Sequence, residues 1–308
     1  MINFRFYLVS VVAVFLALAI GVVMGYGVLG QPTVNGLQRR IDTIGANADA
    51  QRGANEMLSQ ELAAANSGLQ AATPFAVTDR LLNRKIIVLA TRGANEDAVT
   101  RISKNFLTSG ANSTIVVWLE NSWKLSTDKE RSSISGILGI ENIGKKAEMQ
   151  MAANSALIAR LTAGQPLSGV DILAKFVDAG FVSLSSPEGG ANKPAELGGA
   201  TTRLVLAVVP NRPNTVKMIA TAAVTNKIFL TVVEIFTDAA NGIGRESSIT
   251  AVLNNLELKN TVATVNNGET DLGALAVVLA LADLENGVVS HLGTGENGER
   301  LLPGWWRL

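Results

Sequence analysis

Cysteine is absent from the 308-residue sequence, and histidine occurs once, as His291. Without cysteine the chain has no disulfide, no thiolate metal ligand and no cysteine nucleophile. A single histidine rules out every metal site that takes two histidines from one chain. Aromatic residues make up only 5% of the sequence, which argues against an aromatic-rich recognition surface. These shortages remove thiolate and multi-histidine metal centres and cysteine-dependent catalysis from consideration.

Net charge and catalytic motifs are also missing. The 26 basic and 26 acidic side chains cancel, so composition does not indicate a nucleic-acid binder. No dinucleotide fingerprint, phosphate loop, nucleophile elbow or paired-carboxylate cluster is present. Cuprous ion prefers thiolate or thioether ligands, and the neighbouring Met149 and Met151 do not share a helix face. We therefore predict a protein that is not an enzyme and that has no metal site and no cofactor.

The sequence does contain a long uncharged stretch, Phe6–Gln38, whose centre Tyr7–Leu29 is almost wholly apolar. A helix of about 20 apolar residues crosses a bilayer, so we predict a transmembrane anchor over residues 1–30. The alternative is a cleaved signal peptide, with Arg5 before the apolar core and Ala17–Ala19 as its small-residue site. The apolar run continues well past that site, which favours the retained anchor.

One face of the predicted membrane span consists of small residues. Ala17, Gly21 and Gly25 follow one another at four-residue spacing. Small residues at this spacing let two membrane helices approach closely, so we predict that they form a helix-packing face.

A heptad pattern follows the span, over residues 31–73. Positions separated alternately by three and four residues form a continuous seam, and nine of its eleven occupants are apolar: Val34, Leu37, Ile41, Ile44, Ala48, Gln51, Asn55, Leu58, Leu62, Ala65 and Leu69. This repeat predicts a left-handed coiled coil that makes a parallel homodimer, in which Asn55 fixes register and copy number. The alternative is a long helix that packs against its own globular domain.

In residues 75–308 the sequence pattern changes to short apolar runs that alternate with amphipathic segments. This alternation predicts a doubly wound, mostly parallel α/β domain. Pro74 marks the predicted end of the preceding helix. A loop at 185–202, rich in glycine, proline and serine, is a candidate boundary between two lobes. We predict buried strands at Ile86–Ala90, Thr114–Leu119, Phe181–Leu184, Arg203–Val209, Ile228–Ile235 and Thr261–Val265.

In such a sheet, ligands bind beyond the carboxyl ends of the strands. The predicted loops at that edge carry Arg92, Arg212, Asp238 and Arg245. The three arginines form a candidate site for an anion or for the carboxylates of a partner protein. The alternative is that each arginine caps a helix or lies in solvent.

Three stretches resemble a known family: residues 4–21 (FRFYLVSVVAVFLALAIG), the turn Thr91–Asp97, and the end from Gly287 through His291-Leu292-Gly293 to Pro303. They are similar to the actinobacterial family named for the mycobacterial copper transport protein MctB, and the likeness covers the whole chain length.

The resemblance implies an envelope protein, associated by name with copper efflux and pore formation. A second role proposed for the family is septation, in which a membrane-anchored member pairs with another membrane protein and acts on cell separation through peptidoglycan hydrolases. The resemblance also implies that the C-terminal domain lies outside the cytoplasm. From the residues and the resemblance together we predict a single-span, dimeric, non-catalytic scaffold in the cytoplasmic membrane, with copper transport as the alternative.

Overall fold

The computed structural model describes residues 4–140, 145–189, 193–236, 246–294 and 297–304. The chain divides into two compact units, residues 1–65 and residues 66–308. The first unit consists of helix, and the second is a mixed α/β domain. The predicted combination of an N-terminal apolar helix, a long helix and a mostly parallel α/β domain is confirmed.

Helices and strands alternate along the second unit as the apolar runs predict. The helices of the described residues are α1 Phe4–Val77, α2 Glu96–Thr108, α3 Asp128–Leu138, α4 Lys146–Ala163, α5 Ile172–Asp178, α6 Pro213–Thr225, α7 Thr250–Leu253, α8 Leu256–Lys259 and α9 Asp271–Glu285. The strands are β1 Lys85–Thr91, β2 Ser113–Leu119, β3 Val182–Ser185, β4 Thr202–Val208, β5 Leu230–Glu234, β6 Ala263–Val265 and β7 His291–Leu292.

Helix α1 begins with a 22-residue apolar stretch, Phe4–Gly25, that is long enough to cross a bilayer. The rest of the chain covers none of this stretch, and it is the one candidate span among the described residues. Its fully exposed apolar surface suggests a membrane anchor.

The predicted end of the long helix at Pro74 is wrong, because α1 continues to Val77. Pro74 has no N–H to donate to the carbonyl four residues earlier, but its own carbonyl still accepts from the Thr78 N–H, at 2.9 Å, and from the Thr78 hydroxyl, at 2.6 Å, so helical bonding continues beyond it. Ala76 and Val77 also pack against the core of the α/β domain. This packing keeps the last turn helical past the proline.

A seven-stranded sheet, counted over the described residues, forms the centre of the second unit in the order β3-β2-β1-β4-β5-β6-β7. All neighbouring strands are parallel except β2 and β3, which are antiparallel. Strands before and after the 185–202 segment belong to this one sheet, because β1 pairs directly with β4. The division into lobes stays a prediction.

Each face of the sheet carries its own apolar core, which gives three layers. Alternate β1 residues contribute to opposite cores: Ile87 and Leu89 face helices α3 to α8, whereas Ile86 and Val88 face α2, α9 and the end of α1. Eleven of the fifteen residues of α9 are buried. Its apolar sequence is therefore that of a core helix.

Two details differ from the sequence-based expectation. The sequence of residues 247–256 fits one helix, but the structure has two short helices, α7 and α8, because Asn255 adopts an extended conformation and caps α8 by accepting from Glu257 N and Leu258 N. Strand β7 was not predicted, because two residues carry no recognisable alternation.

The turn between β6 and α9 is too tight for a side chain at Gly273. A Cβ there would overlap the backbone carbonyl of Asn267. We expect Gly273→Ala to lower the free energy of unfolding by about 1–3 kcal/mol, because the turn must move to make room. The matched control is Gly136→Ala in α3, which meets nothing within 4 Å. It should raise the free energy of unfolding by about 0.5–1 kcal/mol. Urea unfolding followed by tryptophan fluorescence measures both, and equal effects would contradict the close approach.

His291 of β7 is buried, and both ring nitrogens are bonded. Nε2 lies 3.0 Å from the Lys259 carbonyl, to which it must donate, so Nδ1 accepts from the Thr264 hydroxyl at 2.9 Å. Burial lowers the pKa of His291 below 6.5, against the opposing effects of the Lys259 carbonyl and of Glu299. The folded domain therefore holds a neutral imidazole with a structural role.

The lowered pKa of His291 predicts a pH-dependent stability. The unfolded chain takes up a proton near pH 6.5, whereas the folded chain does so only at lower pH, so the free energy of unfolding should fall as the pH decreases from about 7.5 to about 5.5. His291→Gln should show a flatter profile over the same range. Parallel profiles in urea unfolding would contradict the assignment.

Candidate functional site

The direction of the sheet connections reverses between β1 and β4, and a crevice opens there. Helix α2 follows β1 and leads to β2, whereas α6 follows β4 and leads to β5, so the loops after β1 and β4 diverge. The resulting β1–β4 crevice has a volume of about 60 Å³ and is lined by residues of these loops, of the segment after β2, and of α4 and α6.

One wall of the β1–β4 crevice is the ion pair Arg92–Glu120. Arg92 Nε and Nη2 donate to the two carboxylate oxygens of Glu120, at 2.9 and 3.0 Å. Its guanidinium also lies 4.6 Å from the centre of the Trp118 ring and donates to Glu96. The Arg92 hydrogen bond lowers the pKa of Glu120, and the same bond raises the pKa of Arg92. Arg92 is therefore neutralised by residues of its own domain.

The opposite wall is the beginning of α6. Arg212 is the N-cap residue, and it gives this helix no side-chain cap. Its backbone N–H donates to the Ser248 hydroxyl at 2.8 Å, and that hydroxyl donates to the Val209 carbonyl. The backbone N–H of Ser248 in turn donates to Glu234 at 2.6 Å. Glu234 thus fixes the position of Arg212 through Ser248.

Glu234 itself is almost fully buried at the end of β5. Burial raises its pKa, against the opposing hydrogen bonds from the Ser247 hydroxyl and from the Ser248 N–H and side chain. These bonds join the end of β5 to the segment before α7, so Glu234 is a positioning residue of the crevice wall.

Trp123 is a buried residue that lines the β1–β4 crevice. Trp123 packs edge-to-face on Phe176 and Phe181, at ring-centre distances of 5.1 and 6.4 Å. Its indole N–H donates to Asn154 Oδ1 at 3.1 Å. These contacts hold the Trp123 indole in one orientation at the crevice.

The structure brings two of the three predicted arginines, Arg92 and Arg212, to the same crevice. Arg245 and Asp238 lie outside the described residues. Glu120 and Lys124 also line the crevice, and the sequence analysis did not single them out. The parallel register pairs Thr91 with Leu119, which places Arg92 beside Glu120. That register is fixed by tertiary structure, so the pairing was not readable from the sequence.

The predicted seam residues of α1 differ in exposure. Val34, Leu37, Ile41, Ile44, Leu58 and Leu62 are each 54–67% exposed. Leu69, the last predicted dimerisation residue, instead packs against the core of the α/β domain. The open part of the seam therefore runs from Val34 to Ala65. At Gly21 and Gly25, on the predicted membrane face, a Cβ would meet nothing within 4 Å.

Metal-binding side chains do not gather in the part of the chain that the structure describes, where no group of three histidine, aspartate or glutamate residues is suited to a metal ion. The two neighbouring methionines diverge in burial. Met149 packs in the core, whereas Met151 is 56% exposed. They do not form a shared thioether site.

Comparison with known proteins supports a single family. The family model described as "Copper transport outer membrane protein, MctB" matches residues 1–303. Proteins named "Copper transporter MctB" from Mycobacterium tuberculosis and Mycobacterium bovis are 28% identical to the chain over 313 aligned positions, which cover 96% of this chain and 97% of each relative. The chain therefore belongs to the MctB family.

Proposed function

We propose that this protein is a membrane-anchored, dimeric, non-catalytic scaffold of the cell envelope that regulates cell separation through protein partners. The observation that carries the proposal is the exposed apolar seam of α1, on the helix that also contains the apolar span. The part in cell separation is supported by the family resemblance set out above.

The seam fits a second copy of the same helix. Its residues recur every three and four positions, so they form a narrow stripe of the width that another helix covers. Copies anchored in one membrane by the same span point the same way, which favours parallel pairing. In a parallel pair, Asn55 of one copy meets Asn55 of the other, and this polar contact selects one register.

The remaining parts of the proposal concern place and partners. In this proposal the protein is a single-pass protein of the cytoplasmic membrane, which the apolar span Phe4–Gly25 supports. Its α/β domain lies outside the cytoplasm, as the family resemblance implies. The partner is another membrane or septal envelope protein, and the bilayer itself is a further contact. Balanced charge gives nucleic acid no basis for binding.

The absence of native cysteine makes the pairing directly testable. We expect Leu58→Cys, on the seam, to form a disulfide-linked dimer when membranes that contain the full chain are oxidised with diamide. Facing seam residues lie within disulfide reach. The matched control is Met57→Cys, which is equally exposed but lies off the seam. Dimers of similar yield from both variants, or none from Leu58→Cys, would contradict the pairing.

Copper transport is the second candidate, and the names of the family and of its mycobacterial relatives favour it. Copper would then be cargo that the protein moves. Its ligands would have to come from methionine, carboxylate or backbone groups, because cysteine is absent and His291 is bonded at both ring nitrogens.

Metal content and conductance distinguish the two candidates. We expect full-length protein, purified in detergent and incubated with cuprous ion under reducing conditions, to retain far less than one copper per chain, and to give no stable single-channel currents in planar bilayers. A Met149→Leu, Met151→Leu variant is the control for adventitious thioether binding. Stoichiometric copper that this variant still retains, or stable currents, would contradict the scaffold and favour transport.

A further inference from the structure

The exposed seam of α1 is not uniform along its length. Every seam position from Val34 to Ile44 carries valine, leucine or isoleucine, and large side chains return at Leu58 and Leu62. The three seam positions between these two parts carry small or polar residues: Ala48, Gln51 and Asn55. From Ile44 to Leu58, which is about 21 Å of helix, the seam therefore has no large apolar side chain. We call residues 45–57 the middle stretch.

Pairing of two helices through the middle stretch is weak. Buried valine, leucine and isoleucine side chains provide most of the force that pairs helices, and alanine has little apolar surface to bury. A polar residue in a seam costs stability, even where it selects the register, as proposed for Asn55. A shallow groove on the surface of α1 is lined by Ala48, Gln51 and Asn55. The seam thus offers a second helix few apolar contacts there.

The helix is also intrinsically weak in the middle stretch. Gly45 and Gly53 lie in it, and a Cβ at either position would meet nothing within 4 Å, so packing does not require glycine. Glycine is a poor helix former, and Asn47 and Asp49 also form helix less readily than alanine. The ion pair between Asp49 and Arg52 is 3.5 Å long and largely exposed, so it adds little. Helix α1 is nevertheless continuous here, so the weakness lies in stability and not in conformation.

We propose that the middle stretch is a hinge of the paired stalk, at which the two helices separate and bend while the seams of residues 34–44 and 58–65 stay paired. Segments with few buried apolar contacts open first, and the large seam residues on both sides confine the opening to the middle. The inference rests on the proposed dimer, and it adds where that dimer moves.

The test is the distance between the two copies, measured by double electron–electron resonance on spin-labelled full-length protein in detergent. Thr43, Ala50 and Ala64 are exposed, lie off the seam, and occupy the same heptad position, so one label compares all three. The labels are attached to Thr43→Cys, Ala50→Cys and Ala64→Cys, one at a time. We expect the distance distribution at residue 50 to be about twice as wide as at the other two sites, because the helices separate there.

Filling the seam should close the hinge. In the Ala50→Cys background, the distribution should become as narrow as at the other two sites when three seam residues are replaced: Ala48→Ile, Gln51→Leu and Asn55→Ile. The matched control adds the same apolar side chains on the outer face and should leave the distribution wide: Ala46→Ile, Asp49→Leu and Glu56→Ile.

The outcomes separate the hinge from the dimer. Equal widths at the three labelled sites would overturn the hinge, and so would equal narrowing by the seam variant and by the outer-face control. The absence of any distance between copies at all three sites would instead overturn the dimer, and the hinge with it.

Discussion

Apolar surface that a single helix cannot cover for itself is the constraint on which the first unit depends. Burial of one valine, leucine or isoleucine side chain contributes about 1.5–3 kcal/mol. Gly45, Gly53 and Gly68 each weaken α1 by about 1 kcal/mol relative to alanine. In proteins most of the stability of a helix comes from packing of its apolar face, so α1 needs an environment for that face. The two regions of α1 need different environments: Phe4–Gly25 is apolar on every side, as a bilayer requires, whereas the later residues are apolar along one stripe.

In the α/β domain, the corresponding constraint is the direction of the connections. Because the helices after β1 and β4 leave in opposite directions, two loops separate and a crevice forms without any special sequence motif. The chemistry of the crevice then depends on which of its charged side chains are paired with other residues of the domain. The register places Glu120 beside Arg92, and their bidentate pair satisfies both. Arg212 has its backbone N–H bonded to the Ser248 hydroxyl, and the residue lines the crevice.

Local sequence patterns predicted most of the fold but little of the site. Buried strands such as Ile86–Ala90 are continuous apolar runs, and Asn95 caps α2 through the bond that its side chain accepts from Ala98 N. These signals lie within a few residues, so they are readable from one sequence. The pairing of Arg92 with Glu120 and the link from Glu234 to Arg212 depend instead on strand register and on residues far apart in the chain. No local pattern encodes them.

The heptad pattern shows the same limit within a single helix. Three-and-four spacing specifies a face, but it does not specify what covers that face. Leu69 continues the seam in phase, yet it packs on the domain core, and the same turns are fixed by the Gln70 hydrogen bond to Asp271, at 2.8 Å. Asp271 also accepts from Arg101 at 2.7 Å, so α1, α2 and α9 meet at one carboxylate. The seam is therefore covered by the domain at Leu69, where side chains of the domain become available. The seam positions from Val34 to Ala65 are exposed, and the heptad spacing alone does not say what covers them.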